Sequence, residues 1–378
     1  MTSSEPFYKK STLTLLGIIL LVYVMYTLAD ILVPIAFSLL LAILLNPLNS
    51  RLMRLKVPTV LSIILTLLIA LIILGAILYF LSAQIVQFGE MMPALKLKFT
   101  QILTDLQNFL QTKFGVSIQK QTQFLKDTAS GGKALVGQTV SGVLGVFSLL
   151  FLIPVYIFLF LLYKPLILNF IFEVFSTKDT NPVAEILHET KAAIQSYIVG
   201  LLIEASIVAV MNSTALLILG VPYAILLGVI GAILNMIPYV GGLVAITLPV
   251  LMATVTQDGY TTQLFIIGAY LLIQFIDNNV LVPRIVSSKV KINALISVLA
   301  VLLGGALWGV SGMFLSIPLV AVLKIVFDRI EGLKPWGKIL GDQIPDSYPG
   351  QVSPNSATPV VHDRMEKFVD ADDRNKEA

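Results

Sequence analysis

Long apolar runs separated by short polar breaks dominate the chain. Runs near the ~20 residues that a helix needs to cross a bilayer occupy 11–29, 59–82, 140–163, 192–219 and 262–283, and a shorter run, 31–45, follows the first almost at once. Between Gly220 and Ile330 the pattern changes. GVPYAILLGVIGAILNM leads into IPYVGGLVAITLPVLMA, and INALISVLAVLLGGALWG leads into SGMFLSIPLVAVLKIVF. The first junction holds Asn235, Pro238, Tyr239, Gly241 and Gly242 with no charged residue. The second turns through Gly304, Gly305, Gly309 and Gly312, with Pro318 in its outgoing arm. Arms of roughly 16–19 residues rise about 24–28 Å as helices, just short of a hydrocarbon core of ~30 Å. The pattern therefore predicts two broken helical pairs, either tilted spans or re-entrant hairpins.

If the run at 192–219 leads outward, the first pair opens from outside. The span at 262–283 then returns inward, and the second pair opens from the opposite face. Two inverted units with interrupted helices are a secondary-transporter design, in which broken ends expose backbone dipoles near the midplane. The plainer alternative is that Pro222, Pro238, Pro249, Pro283 and Pro318 merely kink ordinary spans.

One segment, 83–139, breaks the membrane pattern. Phe99, Ile102, Leu103, Leu106, Phe109 and Leu110 recur at steps of three and four among polar residues, which predicts an amphipathic helix outside the bilayer core. It can pack on other extramembrane helices or a neighbouring subunit, or lie on the lipid interface.

Composition supports a membrane reading. Of 378 residues, 57% are hydrophobic and 12% charged, and the mean hydropathy of +0.90 exceeds what a soluble domain needs. Lys9 and Lys10 precede the first run, which is long and continues through Asp30 and Pro34 into more apolar sequence; it reads as a retained anchor rather than a cleaved signal. Basic residues also follow the second, fourth and last single runs (Arg51, Arg54, Lys56; Lys164, Lys178; Arg284, Lys289, Lys291). The positive-inside rule then puts these segments and both termini in the cytoplasm and 83–139 outside, although that exterior segment carries six lysines of its own. The expected organisation is membrane helices over 1–82, the extracytoplasmic helical segment 83–139, and membrane helices over 140–219 with a cytoplasmic loop at 164–191. A transport core follows at 220–331, and then a proline-rich, disordered cytoplasmic tail at 332–378.

Polar groups inside the apolar runs are the candidate chemistry, because an ionisable side chain in lipid is costly unless it faces a cavity or a partner. Gln274 to Arg284, QFIDNNVLVPR, places Asp277, Asn278 and Asn279 in succession, about 100° apart, so they cannot all face one neighbour. At least one is expected to face a cavity or a hairpin. An ion pair from Asp277 to Arg284, two turns on and past Pro283, is the structural alternative. Glu204 lies about twelve residues into its run, with Asn212 eight residues further along nearly the same face; the pair suits a proton or sodium site, or hydrogen-bonded helix packing. Asn235 and Tyr239, with Gly241 and Gly242, form a neutral turn suited to a small polar solute. Gly305 and Gly309 have the spacing of a close helix-packing pair.

Other chemistry has no visible apparatus. Cysteine is absent, and His188 and His362 sit far apart in polar segments, so no metal centre or cofactor is expected. GGKALVG lacks the earlier glycine and the Ser/Thr of a phosphate-binding loop, and no HExxH or GxSxG occurs, so an enzyme is not expected. Nor is a nucleic-acid partner.

GVPYAILLGVIGAILNMIPYVGG, QFIDNNVLVPRIVSSKVKINALISVLAVLLGGALWGVSGMFLSIPLVAVLK and the order of runs over about 10–335 resemble the autoinducer-2 exporter family, the PerM-like permeases. The resemblance implies an inner-membrane transporter of the autoinducer-2 signal, or a sodium or lithium/proton antiporter. It further implies a homo-oligomer, a pentamer, with an elevator-like moving unit made from the hairpins. The reading that results is an all-α polytopic membrane protein, about six transmembrane helices plus two inverted re-entrant hairpins. It moves a small polar solute or a monovalent cation by alternating access, with a structural membrane scaffold as the remaining class.

Overall fold

The computed structural model describes residues 7–90, 92–114, 151–175, 181–237, 241–257, 259–286 and 292–343. Its elements are α1 (Phe7–Thr27), α2 (Ala29–Arg54), α3 (Thr59–Glu90), α4 (Met92–Phe114), α5 (Phe151–Leu162), α6 (Lys164–Phe175), α7 (Asn181–Ile218), α8 (Ala224–Asn235), α9 (Gly241–Thr256), α10 (Thr261–Ile276), α11 (Ala294–Arg329) and α12 (Lys334–Leu340). A π-helical segment, Asp277–Val286, continues α10, and a 3-10 turn, Glu331–Leu333, precedes α12. No strand occurs among the described residues; the one bridge, Ile292 to Gly341, is isolated. Residues 1–341 form one compact unit, and 342–378 a second, of which only Asp342 and Gln343 are described.

Among the described residues, five helices are long and apolar enough to cross a membrane: α2, α3, α7, α10 with its π-helical extension, and α11. A sixth is reached if α5 and α6, bent by 63° at Tyr163, count as one broken span. Pro165 accounts for the bend, since it offers no N–H to the carbonyl of Leu161 and its ring crowds that turn. The first apolar run is shorter than expected, Ser11–Thr27, whereas the short run beginning at 31 belongs to a 26-residue helix. Within segment 164–191, expected as a cytoplasmic connection between membrane helices, α6 fills 164–175 and α7 begins at Asn181. The amphipathic helix expected within 83–139 is present as α4, while 83–90 extend α3.

The two broken pairs fold back on themselves. In the first, α8 packs along α9, joining Ala224 and Leu227 to Ala245, Met252 and Ala253 in one buried cluster with Leu216, Ile266 and Tyr270. At 12 and 16 residues, these arms measure about 18 and 24 Å. In the second, the helical path of α11 breaks at Trp308 and Gly309; Gly309 has φ 59° and ψ −141°, which only glycine adopts at low cost. The arms on either side meet backbone to backbone at Gly304 and Gly312. A methyl added to Gly304 would lie 2.4 Å from the Gly312 carbonyl oxygen. Eight residues of straight helix would hold these two about 12 Å apart, so the chain reverses here. The close-packing pair is therefore Gly304 with Gly312, across the turn. Gly305 meets the Met313 side chain, and Gly309 forms the break itself.

The reversal at the second pair is tied to the start of the chain. Trp308 donates its indole N–H to the Met25 carbonyl at 2.9 Å, in the last turn of α1, where carbonyls lose their helical partners. Helical order also continues past 332, where sequence placed the start of a disordered tail. Asn293 caps α11 by accepting from Ile296 N at 2.9 Å, and its amide nitrogen donates to the carbonyls of Ile339 (2.7 Å) and Gly341 (3.0 Å). One asparagine thus pins the end of α12 to the start of α11. The remainder of the proposed tail, from 344, lies outside the described residues.

Candidate functional site

Three elements converge on one buried polar centre. Glu204 comes from the middle of α7, Asn235 from the last residue of α8 at the turn of the first pair, and Asp277 from the point where α10 becomes π-helical. Asn235 donates its amide nitrogen to Glu204 Oε1 at 3.2 Å and to Asp277 Oδ2 at 2.8 Å. Glu204 is 3% exposed and Asp277 2%, which makes them the buried carboxylates among the described residues. Since they share one donor, the two carboxyl groups are no further apart than those two distances combined. Among the described residues, neither takes part in an ion pair. Two acids held this close without a cation repel unless a proton or a bound ion intervenes.

Local sequence sets the helix faces that converge. Glu204, Val208 and Asn212 recur every four residues on α7, and Tyr270, Gln274 and Asp277 follow at steps of four and three on α10, so each set forms a stripe along one helix face. Gly231 and Asn235 do the same on α8. The stripes enclose a small cavity lined by Asn212, Gly231, Asn235, Tyr270, Gln274 and Asp277, with Val208, Ala245 and Ile273 as its apolar wall. At Gly242, on α9, an added methyl would lie 2.5 Å from Gln274 Oε1, so the bare backbone lets this amide reach the turn of the first pair. The π-helical stretch adds its own distortion at the centre, and Pro283 within it supplies no N–H for either an α or a π ladder.

Not every polar position of the QFIDNNVLVPR segment joins the centre. Asn278 and Asn279 are exposed, as successive 100° steps require: Asn278 accepts from Gln274 at 3.4 Å, and Asn279 donates to the Phe275 carbonyl at 2.8 Å. Asp277 turns to Asn235 rather than to Arg284, whose side chain is exposed. Asn212 lines the cavity, as does Asn235. Gly241 sits against the Leu234 carbonyl, and Pro318 is buried in the outgoing arm of α11. Pro238 and Tyr239 lie outside the described residues. Tyr270, Gly231 and Gln274, with the apolar Val208, Ala245 and Ile273, are the lining residues that sequence reasoning did not single out. The signal for Tyr270 and Gln274 was there, seven and three residues before Asp277.

Residues 15–332 match the model of the AI-2E family transporters. The chain belongs to the AI-2E transporter family. Among its relatives, the AI-2 transport protein TqsA of Escherichia coli K12 is 26% identical over 322 residues, 83% of this chain and 90% of TqsA. YhhT of the same organism, named provisionally as a transport protein, is 24% identical over 343 residues, 89% of this chain and 95% of YhhT. PerM, named provisionally as a permease, is 27% identical over 199 residues, covering 52% and 56% of the two chains. The match to the AI-2E model spans both folded-back pairs and all three residues of the carboxylate centre.

Proposed function

We propose that this AI-2E family protein is a secondary transporter that exports a small polar solute of the autoinducer-2 kind by alternating access, with Glu204, Asn235 and Asp277 as its coupling centre. The observation that carries this reading is the single amide of Asn235 shared by two buried carboxylates from different elements. Asn235 belongs to a folded-back pair, whereas Glu204 lies on the long helix α7. Movement of the pair against α7 would therefore break the shared hydrogen bonds, and neutralising or compensating either acid would change their strength. This is how an ion gradient drives a conformational exchange. The name of TqsA supports the cargo class.

In this reading the protein lies in the bacterial inner membrane with cytoplasmic termini, α4 faces the opposite side, the folded-back pairs are inverted re-entrant hairpins, and copies assemble as a homo-oligomer, a pentamer. Exchange of Na+ or Li+ for protons is the second reading. It is favoured by the acid pair, which has no basic partner among the described ion pairs.

Proteoliposomes separate the two. Efflux of autoinducer-2 that does not depend on sodium, and that falls at least about tenfold in Asp277→Asn, supports the exporter. Sodium-driven proton movement lost in Glu204→Gln or Asp277→Asn supports the antiporter. If neither flux rises above that of empty vesicles, the protein is a scaffold and the transport reading fails. Because the chain lacks cysteine, single cysteines at Tyr239 and Gly309 test the hairpins: inverted re-entry predicts labelling by impermeant reagents from opposite faces or from neither, and full reactivity at Tyr239 from the cytoplasm rules it out.

A further inference from the structure

A short apolar helix beside the spans has no core of its own. α6 follows α5 after the 63° bend at Tyr163 and holds no buried residue. Its 12 residues measure about 18 Å and, at that angle, advance only about 8 Å along the direction of α5. With α5 as the last part of the apolar run 140–163, α6 lies closer to the plane of a bilayer than to its normal, at headgroup depth. Leu166, Phe170 and Val174, spaced by four, form a stripe along it, each more than half exposed.

The start of the same helix gathers positive charge. Lys164 donates to Asn46 Oδ1 on α2 at 3.0 Å, which leaves two of its three N–H donors uncommitted. Gln195 holds α7 against the same stretch of α2 by donating to the Ile43 carbonyl at 2.6 Å, and one turn before it Lys191 comes near enough to Lys164 for the like charges to repel. Neither lysine has an acid partner among the described ion pairs. The acids next to them in sequence are taken or remote: Glu189 pairs with Arg329, and Glu173 lies about 14 Å further along α6. The end of α2 adds Arg51, Arg54 and Lys56, which also stand outside those ion pairs. A bias of basic residues toward one face is ordinary in membrane proteins, but it does not by itself bring two ammonium groups from different helices to one neutral oxygen.

An anion between the two lysines turns their repulsion into charge-assisted hydrogen bonds. Free phosphate would satisfy the charges and leave the apolar stripe unused, whereas a phospholipid meets both; a zwitterionic headgroup, with its own cation beside the phosphate, gains less. We infer that Lys164 and Lys191 hold the phosphate of an anionic phospholipid whose acyl chains run along Leu166, Phe170 and Val174 of α6. The site rests on the chain being a membrane protein, not on its cargo or on which face is cytoplasmic.

Thermal unfolding of the purified full-length protein in a neutral detergent tests this. Phosphatidylglycerol, phosphatidylcholine with the same acyl chains, glycerol phosphate or inorganic phosphate is titrated in at constant ionic strength, and a ligand bound only by the folded state raises the midpoint saturably. Phosphatidylglycerol is expected to do so, with phosphatidylcholine and the two soluble phosphates at least about tenfold less effective. Lys164→Gln and Lys191→Gln are each expected to need about tenfold more phosphatidylglycerol for the same rise, whereas Lys338→Gln, at an exposed position of α12, changes the requirement by less than about twofold. Should a variant fail to fold, native mass spectrometry of the unmodified protein, offered the two lipids in equal amounts, replaces it, with one phosphatidylglycerol per chain retained in preference to phosphatidylcholine. An equal response to the two lipids overturns the inference and makes the surface ordinary lipid contact. Soluble phosphates that match phosphatidylglycerol overturn it in favour of a free-anion site, and lysine variants that behave like Lys338→Gln leave only diffuse charge. None of these readouts involves flux, so their failure leaves the transport reading standing.

Discussion

Two of the places where this protein buries polar side chains treat them differently. Where α2 meets α3 and α5, Ser62 donates to Asn49 Oδ1 at 2.6 Å, Thr66 to the Ser62 carbonyl at 2.8 Å, and Ser38 to the Ile153 carbonyl at 3.3 Å. Lys164, at the start of α6, extends the pattern by donating to Asn46 Oδ1 at 3.0 Å. None of these side chains has an enclosed atom without a partner. Around the carboxylate centre, by contrast, Asn212, Tyr270 and Asp277 each keep one enclosed oxygen unsatisfied. The hydrogen bonds of the first region are closed, and those that cross between helices in a membrane bundle contribute about 0.6 kcal/mol on average. On the transport reading proposed above, a centre that exchanges a ligand leaves capacity open and tolerates the cost.

Several measurements break or sharpen that contrast. The largest effect is expected at the acids: Asp277→Asn and Glu204→Gln should each lower flux by at least about tenfold while the protein keeps its elution profile and helical signal. Flux within twofold of the parent would place the centre with the purely structural polar groups. Next comes Gly312→Val, whose side chain would drive into the Gly304 carbonyl. Overpacking of this kind costs about 1–3 kcal/mol, and here it should also lower flux by separating the arms of α11. A thermal midpoint equal to the parent's would argue that the arms do not pack as described.

Asn235→Leu should lose about 1–3 kcal/mol, because two buried carboxylates would lose their shared donor, with flux falling alongside. Ser62→Ala on the scaffold side should cost about 0.6–1.7 kcal/mol and leave flux per folded molecule within about twofold. A transport defect there without a stability defect would erase the distinction between the regions. The smallest change is expected at the end of α11, where Arg329 pairs with both Glu185 and Glu189 of α7. Arg329→Ala should shift the midpoint only at low ionic strength, since exposed pairs are screened by salt.

Much of the centre could be read along the chain. Glu204 and Asn212 were visible as polar interruptions eight residues apart in an apolar run, and Asp277 as an acid where lipid would exclude it. Asn235 stood out as an amide at a turn without charges. No spacing rule, however, joins residues 204, 235 and 277. The run QFIDNN does not say which of its polar groups faces inward; that depends on how α10 is rotated against α7 and α8. The second pair was similarly half legible. Its glycines announced close packing, but the sequence pointed to Gly305 and Gly309 as neighbours on one helix, whereas the reversal at Gly309 brings Gly304 against Gly312.

The sequence by itself determined what periodicity and composition can carry: an all-helical membrane chain, its apolar runs, two broken pairs, and the polar residues that interrupt them. Those are local properties, set by the ~20-residue length of a span and by the breaks that proline and glycine impose. Only the tertiary structure decided which interruptions meet. Whether a buried acid finds a base, an amide or an empty space depends on contacts across 31 and 42 residues of chain, as at Asn235. It is fixed by the packing of helix faces rather than by any one helix.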